Sequence, residues 1–149
     1  MRAHALVDAL PKSANTREGP PLTEHVPLTL GAWNVQADNP ETLGDFWASF
    51  LDVTPNHYSG MAYLPAHDSG GVPMMFQPRT SPRPVHQDSH LDLTVPWGQR
   101  GPHVDRAVSI GATFKWDVLD EHPHVRWTTL ADPEGNLFCI AEHPPADAR

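Results

Sequence analysis

The sequence predicts an α+β fold in which one strand–helix–three-strand module is used twice, the two half-sheets enclosing a cavity. Three observations carry this. Two segments, 28–38 and 89–95, alternate apolar and polar residues as half-buried strands do. Each is followed by apolar residues at three- and four-residue spacing, the mark of one helix face. Each helical pattern then gives way to three short strand patterns broken by glycine, proline and aspartate. A β-α-β-β-β order met twice reads as a duplicated module.

In the first module, Trp33, Val35 and Ala37 alternate with Asn34 and Gln36. Asp38 or Asn39 then caps a helix with Pro40 in its first turn. Leu43, Phe46, Trp47, Phe50 and Leu51 form its apolar stripe, and Pro55 prevents its continuation beyond 52–56. Strand patterns follow at 57–59, 61–65 and 72–77, separated by Gly60 and by Ser69, Gly70 and Gly71. The segment PRTSPRPVHQD, 78–88, has neither period and reads as a proline-rich connection.

The second module opens with Leu91, Leu93 and Val95 alternating against His90, Asp92 and Thr94. GPHVDRAVSIGA carries Val104, Val108 and Ile110 near helical spacing, with Gly111 as the stop. TFKWDVL, VRWTTLA and NLFCIAE are three further strands. EHPH (121–124) and DPEG (132–135) connect them, the second with proline and glycine at turn positions. The expected organisation is therefore an N-terminal tail or arm over 1–27, a single domain over 28–143 and a C-terminal tail over 144–149. Within the domain, module one spans 28–79, a linker 80–88 and module two 89–143.

Composition narrows the function. The 149 residues carry 10 Lys+Arg against 18 Asp+Glu, a net charge of −8. Phosphate binding needs a basic patch, so nucleic acid and anionic membranes are not expected partners. One cysteine, Cys139, excludes an intramolecular disulfide. No apolar run reaches the roughly 18 residues of a membrane helix, and residues 1–21 lack a signal-peptide core, so a cytoplasmic location is the expectation.

Four segments carry a family resemblance: DNPETLGDFWASFLDV (38–53), SHLDLTVP (89–96), VDRAVSIGATF (104–114) and WTTLADPEGNLFCIAEH (127–143). In order and spacing they resemble the vicinal oxygen chelate superfamily, and within it the glyoxalase-like, bleomycin-resistance-type proteins. The resemblance covers about 28–143. It implies the paired βαβββ fold of glyoxalases, bleomycin-resistance proteins and dihydroxybiphenyl dioxygenases. That fold hosts metal-dependent isomerases, ring-cleaving dioxygenases, epoxide-opening transferases and drug-sequestering proteins, so the site must decide the function.

Metal-dependent members of the superfamily place ligands on the first, fourth, fifth and eighth strands. By that resemblance His90 matches the fifth-strand ligand, and Cys139 stands where metal enzymes carry glutamate. The first-strand register falls on Leu30, Gly31 or Ala32 and the fourth on Met74 or Met75, with Gln77 the nearest polar side chain. One imidazole and one thiol do not make a hard-metal site, so no metal and no cofactor are expected. A His90–Cys139 pair would need a third donor to hold zinc. Asp92 shares a strand face with His90, which suits an acid–base pair or a structural contact with Arg126. Cys139, flanked by the opposite-facing Phe138 and Ile140, reads as an inert buried thiol. Trp33, Trp47, Trp116 and Trp127 read mainly as core, with Trp116 or Trp127 available as an aromatic cavity wall.

The expected ligand-binding residues are Asn34, Gln36, Met75, Gln77, His90, Asp92, Trp127 and Cys139, and no catalytic residue is assigned. The expected function is binding of a small organic molecule in the cavity, without the usual metal set and with a homodimer as the assembly. The alternative is a metal-dependent or acid–base enzyme of the lyase, isomerase or dioxygenase class using His90.

Overall fold

The computed structural model describes residues 28–148, so the expected arm over 1–27 lies outside the described residues. The chain runs β1 (Trp33–Ala37), α1 (Pro40–Leu51), β2 (Asn56–Tyr58), β3 (Met61–Leu64), β4 (Met74–Pro78), β5 (Leu91–Pro96), α2 (Arg100–Ser109), β6 (Thr113–Val118), β7 (Arg126–Ala131) and β8 (Leu137–His143). It forms two four-stranded mixed sheets, ordered β1-β4-β3-β2 and β5-β8-β7-β6. In each, the first and last strands of the module pair in parallel, β1 with β4 and β5 with β8, and the other pairs are antiparallel. The duplicated β-α-β-β-β order is as the sequence predicts.

Local chemistry sets the element ends. The Asn39 side chain accepts from the Thr42 backbone N–H at 3.2 Å, and Pro40 opens α1 where its missing N–H costs nothing. Asp52 ends the helix in the left-handed region. The fourth strand begins at Met74 rather than Val72, because Pro73 has no N–H for the ladder and offers its carbonyl to Trp33 instead. β5 begins at Leu91, so His90 lies just before the strand. α2 has no side-chain cap at Gln99; the buried carboxylate of Glu142 accepts from the Gly98 and Arg100 backbone N–H groups there. That puts a negative charge at the positive end of the helix.

One core joins the two modules. Phe46, Trp47 and Phe50 on α1 pack around Phe138 of β8, with ring centroids 4.9 Å apart for Trp47 and Phe138. Burying each phenylalanine contributes roughly 1.5–3 kcal/mol. The helix-covered faces of both sheets point into this core. Val35 and Phe76 supply it from the first sheet, and Leu93 and Ile140 from the second. The opposite faces are open. Asn34, Gln36, Met75 and Gln77 share the open face of the first sheet, and Asp92, Trp116, Trp127, Thr129 and Cys139 that of the second.

Two tryptophans expected in the core are not there. Trp33 is 36% exposed and Trp116 48%. Both lie on edge strands, β1 and β6, where a ring has neighbours on one flank alone. Trp47 is in the core as expected.

The α1 helix sits so close to β3 that a Cβ on Gly44 would fall 2.4 Å from the Ala62 Cβ. In an exposed helix interior, glycine-to-alanine substitution stabilises by about 1 kcal/mol. Here overpacking reverses the sign. Gly44→Ala is expected to lower stability by about 1–3 kcal/mol in urea unfolding, and a gain in stability would show that α1 does not pack at this distance.

Candidate functional site

A turn in module two and the linker together build the site. The Asp132 carboxylate accepts from Trp47 Nε1 at 3.1 Å, from the backbone N–H groups of Glu134 and Asn136, and from the Asn136 amide. Glu134 reaches across to the start of α1, accepting from the Asp38 and Asn39 N–H groups at 2.9 and 2.8 Å. Arg83 of the linker binds Glu134 at 3.0 Å and Asn136 at 2.9 Å. Gln87 exchanges two hydrogen bonds with the Leu137 backbone, and Arg79 holds Asp38 and the Gln36 carbonyl. These bonds stretch the linker across the gap between β1 and β5, the two strands that have a free edge facing it.

Beneath the linker lies a cavity of about 940 Å³. Asn34 and Gln36 line it from β1, His90 from the start of β5, and Arg79, Arg83, His86 and Gln87 from the linker. Trp33 forms an apolar wall. Lys115 also lines it, on an edge strand, with no carboxylate partner among the described residues.

A second group of polar side chains adjoins it. Asp92 and Cys139 are directly paired across β5 and β8, on the open face. The His90 Nε2 lies 3.2 Å from Asp92 Oδ1. Donor atoms of His90, Asp92 and Cys139 all fall within 4.8 Å of one another. Cys139 is buried, whereas His90 and Asp92 are exposed. Thr129 Oγ1 is 3.3 Å from the sulfur. Burial pushes the Cys139 thiol up from its usual range; the Thr129 hydrogen bond pulls it back, and the Asp92 carboxylate raises it further by charge and as an acceptor. The sulfur at neutral pH is therefore a thiol rather than a thiolate.

The residues expected at the site thus fall into three places. Asn34, Gln36 and His90 line the cavity. Met75 and Gln77 lie on the open face of the first sheet, where Met75 sulfur accepts from the Tyr58 hydroxyl at 3.2 Å. Asp92, Trp127 and Cys139 lie on the open face of the second. Asp92 pairs with His90, not with Arg126, whose guanidinium sits 4.6 Å over the Trp97 ring. One face of Trp127 stacks on His122, with centroids 5.3 Å apart. Arg79, Arg83, Gln87 and Lys115 were not expected. No local sequence pattern marks the linker residues, because Arg83 and Gln87 are placed by bonds to Glu134, Asn136 and Leu137, some fifty residues along the chain.

The metal set implied by the superfamily requires donors on β1, β4, β5 and β8. The open-face side chains of β1 and β4 are Asn34, Gln36, Met75 and Gln77, none of them imidazole or carboxylate. A hard-metal site spanning both sheets does not fit these residues.

The fold and this geometry define a glyoxalase-like protein. A family model described as a glyoxalase-like domain matches residues 32–141, and the chain belongs to that family. Among solved structures it is similar to a glyoxalase/bleomycin resistance protein/dioxygenase family enzyme from Burkholderia phytofirmans PsJN, at 17% identity and a TM-score of 0.66, covering 78% of this chain and 99% of that one. It is similar also to a genomically encoded fosfomycin resistance protein from Listeria monocytogenes, at 13% identity and a TM-score of 0.60, covering 85% and 99%. An oxidase, ChaP-H1, aligns at 17% identity with a TM-score of 0.59, covering 79% and 98%. Identities this low show the fold alone. No curated protein matches the chain. Among the described residues no helix is long and apolar enough to cross a membrane.

The raised thiol gives a pH prediction. The folded chain holds the protonated sulfur, so this contribution to stability is full below the unfolded thiol value and is lost as pH rises through the folded one. Iodoacetamide alkylation of native protein, followed against pH, is expected to show a midpoint above the ordinary thiol value. Asp92→Asn is expected to move it down; an unmoved midpoint would separate the two side chains.

Proposed function

We propose that this chain binds a small polar organic molecule in the cavity between β1, β5 and the linker, without the metal set of its metal-dependent relatives. The observation that carries the reading is the cavity itself. Its volume of about 940 Å³ lies within the range of small-molecule sites, roughly 300–1,000 Å³. Its polar groups converge from three segments: Asn34 and Gln36, His90, and Lys115. Trp33 supplies a planar apolar wall, and Lys115 can meet an acidic group. The glyoxalase-like family and neighbours described as a resistance protein and an oxidase fit either sequestration or chemistry at such a place. The His90–Asp92 pair favours a second reading, acid–base catalysis, because a carboxylate 3.2 Å from an imidazole can orient it as a base.

The test is a thermal-shift screen of polar organic acids and alcohols against the full chain. A ligand at a hundred times its Kd stabilises by about 2.7 kcal/mol, a rise of several degrees for a domain of this size. Asn34→Ala and His90→Ala are expected to abolish that shift while leaving the unliganded melting temperature within a few degrees. A shift that survives both substitutions would place the ligand elsewhere. Turnover of the bound compound, lost in His90→Ala, would select the catalytic reading.

The same reading takes a second copy of the chain as the cover for the open faces. Tyr58 on the first sheet and Trp116 on the second expose aromatic surface. Sedimentation of the full chain is expected to give a dimer, and Trp116→Lys a monomer. A wild-type monomer at micromolar concentration would leave each open face to solvent.

A further inference from the structure

One cation of the cavity wall lacks a counter-charge. Arg79, Arg83 and Lys115 line the cavity together with two carboxylates, Asp88 and Asp132. With histidine neutral, the wall carries one net positive charge in a chain whose net charge is −8. The two arginines are already engaged, Arg79 with Asp38 at 3.0 Å and Arg83 with Glu134 at 3.0 Å. Asp132 has its oxygens taken by four donors. Lys115 has no carboxylate partner among the described residues.

The backbone is shaped at this lysine. Phe114 pairs with Leu130 and Trp116 with Thr129, so Lys115 is an extra residue with no partner on β7. A bulge of this kind kinks its strand and re-aims the side chain it carries. The fold does not need it. In module one the equivalent strands, β2 and β3, pair from Asn56 to Tyr58 in continuous register. Nor does the core need the lysine, which is exposed on an edge strand.

We propose that the cavity selects an organic monoanion, a carboxylate on a flat apolar body, with Lys115 as the partner of the charge. This rests on the cavity reading above and adds to it the charge and shape of the ligand. An ion pair in a partly enclosed site is less screened by water and salt than one on an open surface, so a single lysine there discriminates by charge. One net positive charge matches one negative charge. A dianion such as a phosphate monoester would bring a second charge to a wall that already holds Asp88 and Asp132. Trp33 gives the flat body a face to stack on, and the Asn34 amide can donate a hydrogen bond to the ligand.

The experiment titrates 2-naphthoate, the neutral 2-naphthamide and 2-naphthyl phosphate into the full chain by calorimetry. 2-Naphthoate is expected to bind at one equivalent and at least about tenfold tighter than the other two. Lys115→Met keeps the length of the side chain and removes its charge. It is expected to weaken 2-naphthoate at least about tenfold and to leave 2-naphthamide unchanged, and Lys115→Arg is expected to recover the binding. Trp33→Ala is expected to weaken carboxylate and amide alike. The exposed edge position lets both Lys115 variants fold, which their melting temperatures check. Equal affinity for carboxylate and amide, tighter binding of the phosphate, no binding of 2-naphthoate, or carboxylate affinity unchanged in Lys115→Met would each overturn the proposal. None of these touches the cavity reading, which the Asn34→Ala shift tests with uncharged ligands. Carboxylate binding that needs Lys115 but survives both Asn34→Ala and His90→Ala would put the anion outside the cavity and overturn both.

Discussion

The turn at 132–136 is the constraint on which the rest of the structure rests. Asp132 is buried, and a buried carboxylate is costly by several kcal/mol unless its lone pairs are met. Here they are met by four donors, one of which, Trp47 Nε1, belongs to the other module. Hydrogen bonds to a charged group contribute about 1.5–3 kcal/mol each, so the turn and α1 cannot separate cheaply. Once Trp47 is held there, its ring must lie against Phe138, and Phe46 and Phe50 follow on the same helix stripe. One carboxylate thereby sets how the helix of the first module meets the sheet of the second.

The cavity is a consequence of that setting. Glu134, next in the same turn, caps the α1 entry and pairs with Arg83. The linker must span from the end of β4 to the start of β5, and Arg83 pins its middle to the turn. With both ends and the middle fixed, it bridges the two free edges instead of collapsing onto either. The space beneath is bounded by polar atoms already engaged elsewhere, such as Gln36 with Thr80, and by Lys115, which has no carboxylate partner among the described residues. The same contacts that stabilise the fold therefore decide which side chains can meet a ligand.

Much of this was legible in the sequence, and the limits have a physical reason. Period-two alternation fixed the faces of Asn34 and Gln36 and of His90, Asp92 and Cys139, because a slip of one residue would bury Asp92 and expose Leu93. The stripe on α1 was legible for the same reason. Periodicity does not say which face meets which across two sheets. Hence Trp33 and Trp116, apolar and strand-borne, read as core until the strand order put them on edges. Hence also Asp92 could not be assigned between His90 and Arg126. The linker was opaque because its conformation comes from side-chain bonds to distant residues, Glu134, Asn136 and Leu137, which leave no local pattern.

The two modules share a backbone and differ in chemistry at matching places. Asn34 pairs with Met75 across β1 and β4 as Asp92 pairs with Cys139 across β5 and β8. In each module these pairs sit one residue before the core-facing pairs Val35–Phe76 and Leu93–Ile140. The first module thus presents an amide and a thioether where the second presents a carboxylate and a thiol. A thioether can accept a hydrogen bond, as Met75 does from Tyr58, but has no proton to lose. A thiol beside a carboxylate has a proton, and the carboxylate holds it there. The position of His90, two before Asp92, is held in the first module by Ala32, which offers no donor at all. The thiol whose proton affinity is raised therefore lies on the second sheet, while the matching positions of the first contribute shape and neutral hydrogen bonds. Where the cavity reaches both, at His90, a ligand in the first environment would lie within reach of the second.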